Sequence, residues 1–488
     1  MNKEFNIKLL FRLQGGMLLL ETFFLLISAV VAVIYNENIF VPFILPAIIT
    51  FIPGITAILI GKNAQGQLGK RDGVLIVTTV WLLFSLFGML PYIFSGAIPA
   101  VTDAFFETMS GFTTTGASIL NNIESLPKSI LFWRSITHWI GGLGIIVITM
   151  ALLPMFGFSA MSLFSAEATG PTKDKLSARI SETARNLFLI YIALTTSETL
   201  LLRLAGMQWF DAVCHSFATI ATGGFSTMQS SIAAFNSPLI EYIIVFFMFF
   251  SGINFSIYYF VYKLKSDKLI KNEELKVYFV IVILFTALLA GTQIVDSGFD
   301  INKLESYIRN ALFVTVSTIT TTGFTTVDYG TWPVFSWYLV ILLMFVGASA
   351  GSTAGGIKVV RVLIVFRYMY LEFKRFVHPN AILPLRLNEH SLAENVVARV
   401  LAFVFLYFAI VLFGSAVLSL NNMGFVESFS GMVTCISDVG PGLGSIGPAY
   451  NFSHLNDFSK WFLSVIMMVG RLEIFTVLLV FTPVFWRK

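Results

Sequence analysis

Four times in this chain a short apolar stretch runs into a polar hook that ends on glycine. The hooks read FETMSGFTTTGAS, ending its turn at Gly116; CHSFATIATGGFST, with Gly224; LFVTVSTITTTGFTT, with Gly323; and SFSGMVTCISDVGPG, with Gly440. Successive glycines are 108, 99 and 117 residues apart, a repeat length that describes a whole fold unit. The second and third copies are most alike: Ile220 to Thr227 (IATGGFST) lies over Ile319 to Thr326 (ITTTGFTT). One Thr-Thr-Thr-Gly would be a plain turn closing a helix. Four, each between two long apolar segments, require a fold in which four copies of one unit meet.

The apolar stretches before the hooks cover roughly 102–114, 209–222, 307–321 and 425–437. A bilayer-spanning helix takes about 20 mostly apolar residues, so these are too short to cross, yet too apolar for ordinary loops. Re-entrant pore helices are the natural reading. Ten longer stretches are expected to span, at roughly 14–35, 40–61, 73–95, 132–156, 186–206, 238–262, 277–296, 334–373 (long and interrupted), 397–420 and 459–485. Composition agrees: 56% of the 488 residues are hydrophobic and 12% charged, against about 25% charged in soluble domains. The N-terminal apolar segment is too long for a signal-peptide core and lacks a small-residue cleavage site, so it reads as a retained helix. The expected fold is an all-α polytopic membrane protein with an N-terminal two-helix hairpin (1–68) and four pore repeats, 69–172, 173–272, 273–390 and 391–488.

Lysine and arginine orient the spans. Lys3, Lys8 and Arg12; Lys62, Lys70 and Arg71; Lys173, Lys175, Arg179 and Arg185; Lys263, Lys265, Lys268, Lys271 and Lys276; Lys358, Arg361, Arg367, Lys374, Arg375, Arg386 and Arg399; and Arg487 and Lys488 fall on one side. They make up 24 of the 31 basic residues. Segments 207–237 and 421–457 on the other side hold none. Both termini are therefore expected in the cytoplasm and all four hooks outside.

Four extended loops around an axis suit a dehydrated cation, because their backbone carbonyls replace its water. Glycine permits positive φ at the end of each loop, and threonine stiffens the strand before it. The pore helices would point their partially negative C-terminal ends at the axis. Cys214 and Cys435 have no metal-ligand neighbour and read as buried hydrophobes. His215, next to Cys214, reads as packing or a hydrogen bond, since one His and one Cys make no metal site.

At these residues the chain resembles the Trk/Ktr/HKT superfamily of potassium transporters. It is most similar to the Trk-type membrane subunit, because two extra spans precede the first repeat. The resemblance covers residues 1–488. It implies four channel-like repeats around a pseudo-fourfold pore, a homodimer with one pore per protomer, and a cytoplasmic ring of nucleotide-binding regulatory subunits. It also implies a bacterial inner-membrane location. Carried over, the filter comprises Thr113, Thr114, Thr115 and Gly116; Ala221, Thr222, Gly223 and Gly224; Thr320, Thr321, Thr322 and Gly323; and Ser437, Asp438, Val439 and Gly440. In the plant branch, serine at the first filter glycine accompanies sodium transport; here Gly116 favours potassium. The fourth loop departs from the pattern, with Asp438 where repeats one and three carry threonine. Its carboxylate either faces the ion or anchors the loop from behind.

Two features lie deeper. Residues 347–356 (GASAGSTAGG) contain no large apolar side chain, and glycine-rich backbone weakens a helix. They read either as a close helix contact or as an unwound gate beneath the filter, formed by Gly347, Ser349, Gly351, Ser352, Thr353, Gly355 and Gly356. Arg471 is a basic residue deep within a span and so a functional candidate. The resemblance places such a residue facing the cavity below the filter; the alternative is an ion pair, as with Glu473. Gly347 to Gly351 also matches the G-x-S-x-G of serine hydrolases, and Gly442 to Gly447 matches G-x-G-x-x-G, but neither has the strand-to-helix setting those motifs require. His138, the one histidine considered as an enzyme's base, is placed toward the outer side and far from the gate segment.

The expected function is potassium uptake through the filter. H⁺- or Na⁺-coupled symport, with Glu107 and Glu198 as the candidate acids, and weakly selective K⁺/Na⁺ transport remain open alternatives. Potassium is the cargo, and no further cofactor is expected. The lipid bilayer, a second copy and the regulatory ring are the expected partners, with the basic loops 263–276 and 358–386 as docking places or lipid contacts. No nucleic acid is among them.

Overall fold

The computed structural model describes residues 5–37, 41–64, 69–155, 180–262, 271–388 and 390–486. Lys3, Lys173, Lys175, Arg179, Lys263, Lys265, Lys268, Arg487 and Lys488 lie outside the described residues, as does most of the 263–276 loop.

Helices α1 (Ile7–Ile34) and α2 (Val41–Ile60) form the N-terminal hairpin. They approach so closely that a β-carbon at Gly15 would meet the Gly54 carbonyl at 2.5 Å, the small-residue contact by which helices associate without a hydrophobic drive. The first repeat comprises α3 (Lys70–Gly88), α4 (Leu90–Phe94), the short α5 (Val101–Phe112) and α6 (Lys128–Met155). The second comprises α7 (Ile180–Leu204), the short α8 (Trp209–Ile220), α9 (Pro238–Ser251) and α10 (Phe255–Tyr262). In the third, α11 (Glu273–Ser297) leads to α12 (Leu304–Ile319), α13 (Val334–Phe345) and α14 (Val359–Val377). In the fourth, α15 (Glu394–Ser419) leads to α16 (Phe425–Ser437), α17 (Asp457–Arg471) and α18 (Phe475–Val480), before the closing turn α19 (Pro483–Trp486).

Among the described residues, six helices are long and apolar enough to cross a membrane: the two of the hairpin and the first of every repeat. Their outer faces carry exposed Phe279, Val280, Ile283, Leu412 and Phe413, which only a lipid solvent tolerates in such number. The short helices have the opposite character. Ala104 to Phe112 of α5 and Ser430 to Ser437 of α16 are buried throughout, at the centre of the bundle.

The second membrane helix of every repeat is interrupted, where a break was expected only in the third. Gly144 (φ 62°, ψ 162°) kinks α6. Residues 252–254 separate α9 from α10, and residues 346–358 separate α13 from α14. In the fourth repeat Glu473 and Ile474 take φ of 60° and 28° between α17 and α18, so 459–485 is not one continuous helix. The breaks of the first and fourth repeats share a cause. A β-carbon at Gly141 would strike the Phe112 carbonyl, and one at Gly470 the Ile436 carbonyl; both carbonyls end a short helix. Glycine lets these helices press against the pore-helix ends, and their backbones then leave helical geometry. Non-helical backbone at this depth is tolerated because it is buried in protein.

Candidate functional site

The four hooks have one backbone conformation. Each short helix closes with a hydrogen bond spanning five residues: Thr115 N–H to Ser110 O (3.0 Å), Gly223 N–H to Ala218 O (2.8 Å), Thr322 N–H to Ser317 O (2.8 Å) and Val439 N–H to Thr434 O (2.9 Å). This closure needs a left-handed residue just before the donor. That residue is Thr114, Thr222, Thr321 or Asp438, with φ of 56°, 56°, 55° and 57°. Left-handed threonine is strained by about 1–3 kcal/mol, whereas aspartate enters this region more readily. Two residues on, Gly116, Gly224, Gly323 and Gly440 have φ of 81°, 82°, 75° and 100°. The glycine requirement read from sequence is met; the left-handed residue before it was not foreseen, because threonine carries no such propensity.

The loops close on one another in chain order. A β-carbon at Gly116 would run into the Gly223 carbonyl, one at Gly224 into Thr322 O, and one at Gly323 into Val439 O. At Gly440 it would meet Thr115 O at 2.7 Å. Each glycine thus touches the carbonyl just before the next loop's glycine, and the fourth returns to the first. All four glycines line one cavity on the side away from the short helices, shared with Asn451 and Tyr450. A second circle of bonds ties neighbouring repeats around that cavity. Arg134 Nη1 donates to Ser226 O (2.8 Å) and Ile232 N–H to Thr325 O (3.1 Å). Tyr329 OH donates to Gly442 O (3.2 Å) and Phe452 N–H to Ser118 O (2.9 Å).

Side chains brace the loops from behind. The Thr113 and Thr115 hydroxyls lie 2.8 Å apart, as do those of Thr320 and Thr322. Ser437 bonds to Tyr407 OH, and Asp438 Oδ1 accepts from Thr115 Oγ1 at 2.8 Å, linking the fourth loop to the first. Asp438 is fully buried, and its Oδ2 has no hydrogen-bond partner. Glu107 is engaged three ways, by Arg134 Nε (2.6 Å), Ile119 N–H (2.9 Å) and Ser118 Oγ (3.0 Å), and so fixes the chain leaving the first loop. Glu198 is buried with neither carboxylate oxygen hydrogen-bonded.

The segment between α13 and α14 is unwound. A two-residue parallel pairing, Val346 with Ile357 and Gly347 with Lys358, pinches its ends together. Its interior touches the second, third and fourth repeats. Ser349 N–H donates to Gly252 O (3.0 Å), Phe255 N–H to Gly351 O (3.0 Å), and Ala350 N–H to Glu274 Oε1 (2.7 Å). Thr353 Oγ1 donates to Ile220 O (3.0 Å), at the end of α8, and Gly355 N–H to Thr321 Oγ1 (2.8 Å), inside the third loop. A β-carbon at Gly355 would strike Ser437 O. Arg471 reaches in from the fourth repeat, donating to Thr353 O (2.8 Å) and to Gly141 O of the first (2.6 Å). Glu473, considered as its ionic partner, instead pairs with Arg361.

Three placements differ from expectation. Lys358, counted among the cytoplasmic cations, is 2% exposed and donates to Ala354 O at the foot of the unwound segment. Glu274 was not singled out, because nothing in its sequence neighbourhood marks it as an anchor. His138 is not remote: it lies against Gly223 of the second loop, one turn from the Gly141 carbonyl that Arg471 binds together with Thr353 O.

Comparison with known proteins converges on one family. A family model described as TrkH, cation transport protein, matches residues 41–488. The chain is 38% identical over 484 residues to the Trk system potassium uptake protein TrkH of Escherichia coli K12, covering 98% of this chain and 99% of that one. It is 36% identical over 488 residues to the Trk system potassium uptake protein TrkG of the same strain, covering 99% of each. The crystal structure of the potassium transporter TrkH from Vibrio parahaemolyticus matches with a TM-score of 0.89 at 36% identity, over 98% of this chain and 99% of that one. With four like loops closed in a ring and these relatives over nearly its full length, the chain belongs to the TrkH family of cation transport proteins.

Proposed function

We propose that this chain is the conducting membrane subunit of a bacterial potassium uptake system. The observation that carries the reading is the closed circuit of four loops, each glycine seated on the carbonyl before the next. Such a circuit offers a cation backbone oxygens from four sides, held by helix-closing hydrogen bonds that leave them no freedom to collapse. The curated relatives, potassium uptake proteins by name, support potassium as the cargo. The filter is assigned to the residues Thr113–Gly116, Ala221–Gly224, Thr320–Gly323 and Ser437–Gly440.

Residues 347–356 act as the gate. Their bond to Thr321 and their contact with Ser437 support a position against the inner end of the ring, and Arg471 acts as a latch that holds them there. Ions move inward down a membrane potential that supplies about 2.3 kcal/mol per charge per 100 mV. The protein sits in the inner membrane with both termini inside, each repeat a unit as divided above. It works as a homodimer with a cytoplasmic nucleotide-binding ring. The outward apolar stripe of α14, with Phe366, Met369, Tyr370, Phe373 and Phe376 exposed at helical spacing, supports a second copy docking there.

Coupled symport is the second reading, and the unbonded buried carboxylate of Glu198 is what favours it. Glu107 does not serve it, because Arg134 already occupies that carboxylate. Rubidium flux into liposomes holding the purified protein, with sodium as competitor and the pH gradient controlled, separates the two. Flux that follows voltage, ignores pH and survives Glu198→Gln establishes a passive pore. Flux that requires a proton or sodium gradient establishes symport.

A further inference from the structure

The four loops do not share one brace. Loops one and three each carry a pair of threonine hydroxyls 2.8 Å apart, Thr113 with Thr115 and Thr320 with Thr322. Loop four uses Tyr407 and the Asp438–Thr115 bond. Loop two can do neither, because alanine and glycine, Ala221 and Gly223, stand where the paired threonines would be. Its φ angles, 56° at Thr222 and 82° at Gly224, nevertheless match those of loops one and three, 56° and 81° at Thr114 and Gly116 and 55° and 75° at Thr321 and Gly323. Something outside the loop must supply the missing support.

The imidazole of His138 occupies that place. A β-carbon at Gly223 would lie 2.5 Å from His138 Cγ, 2.6 Å from Cδ2 and 2.7 Å from Nδ1, so the imidazole fills the volume a threonine side chain would take. Its Nδ1 lies 2.7 Å from Gly111 O. A carbonyl only accepts, so Nδ1 carries the proton and the bond ties the imidazole to the first pore helix. Its face lies on Phe225, centroids 4.0 Å apart and planes at 32°. Arg134, one turn earlier on the same face of α6, covers the same Phe225 ring at 3.6 Å and bonds Ser226 O. One turn later, Gly142 lets Ala221 approach: a β-carbon there would lie 2.5 Å from Ala221 Cα. Positions 134, 138 and 142 thus follow the second loop from Ser226 back to Ala221 at the four-residue spacing of one helix face.

We propose that His138 is the positioning residue of the second filter loop and sets ion selectivity through it, a role that rests on the conducting reading above. The Gly223 carbonyl meets Gly116 of the first loop, and Thr322 O meets Gly224. A shift of Gly223 therefore changes the opening of the ring on two sides. A larger opening favours neither dehydration energy nor fit for potassium over sodium. The imidazole holds that carbonyl by contact from behind and by its own bond to Gly111, without touching the ion.

The test compares potassium and sodium flux for wild type, His138→Ala, His138→Asn, Ala221→Thr/Gly223→Thr, and the triple variant His138→Ala/Ala221→Thr/Gly223→Thr, in liposomes of equal protein content. His138→Ala is expected to lower the K⁺/Na⁺ preference about tenfold, the scale of one buried hydrogen bond, with total cation flux retained. His138→Asn, which can still donate to Gly111 O, keeps part of the preference. The double threonine variant alone loses flux, because its new side chain collides with the imidazole. The triple variant, rebuilt with the hydroxyl pair of loops one and three, recovers flux and preference. A wild-type preference in His138→Ala, or a triple variant no better than the double, overturns the role of His138 while leaving the pore reading intact. Wild-type protein that conducts neither ion overturns the pore reading, and this role with it.

Discussion

Single residues in this chain are constrained by their neighbours in other repeats more than by their own segment. Gly224 has φ of 82° and would drive a β-carbon into Thr322 O, so both its conformation and its space exclude a side chain. Gly224→Ala combines backbone strain of about 1–3 kcal/mol with that collision. It is expected to cut rubidium uptake at least tenfold (about 1.4 kcal/mol) at unchanged membrane content, measured as flux per protein on a blot. Asp438 is the clearer diagnostic, because its two roles predict opposite outcomes. As an anchor it needs only an acceptor for the Thr115 hydroxyl, which asparagine keeps and alanine does not. Asp438→Asn is then expected to retain uptake within about twofold while Asp438→Ala loses about tenfold, the scale of the one buried hydrogen bond that ties the fourth loop to the first. Equal loss in both would mean that the charge itself serves the ion.

At the scale of elements, the unwound segment is a loop with polar anchors drawn from the second, third and fourth repeats, and its freedom depends on which are kept. Arg471 bonds two carbonyls at once, Thr353 O and Gly141 O, and the Ala350 N–H is held by Glu274. Glu273, the preceding residue, binds Arg367 Nη1 (2.8 Å) and Asn388 N–H (2.9 Å). The start of α11 therefore joins the unwound segment to α14 and to Asn388. Arg471→Ala is expected to raise potassium flux severalfold, since each charged hydrogen bond it removes contributes about 1.5–3 kcal/mol to holding the loop. Deleting part of 348–354 should raise it further, and Glu274→Ala, which frees the Ala350 N–H, should raise it too. Electrical recording from planar bilayers reads all three; reduced flux with intact surface expression would make the segment a support of the ring instead of a gate.

In the whole molecule the repeats are closed by ties at their outer edges, and one of them, Arg134 to Ser226 O of the second repeat, is held from within the first repeat by the buried Glu107–Arg134 pair, 0% and 3% exposed. Removing one partner of such a pair costs about 3–5 kcal/mol, because the other charge is left buried. Arg134→Ala is accordingly expected to lower the melting temperature in detergent markedly, while Glu107→Gln/Arg134→Met is milder than either change alone. Equal melting points for single and double variants would show that the pair contributes little to assembly.

The sequence by itself determined the number of units, the length of each helix that faces lipid, and the glycine at the end of every hook. These follow from bilayer thickness, from hydropathy and from a backbone angle that only glycine takes freely, all local quantities. It also determined that residues 347–356 could not pack as an ordinary span. Only the tertiary structure decided what braces each loop, because Thr115 meets Asp438 across 323 residues and Gly223 meets His138 across 85. The same holds for Arg471, which donates to two carbonyls of different repeats, and for the breaks in α6, between α9 and α10, and after α17. In α6 and after α17 the break follows a glycine pressed against another helix's end, and a contact between distant segments leaves no periodic trace in either one.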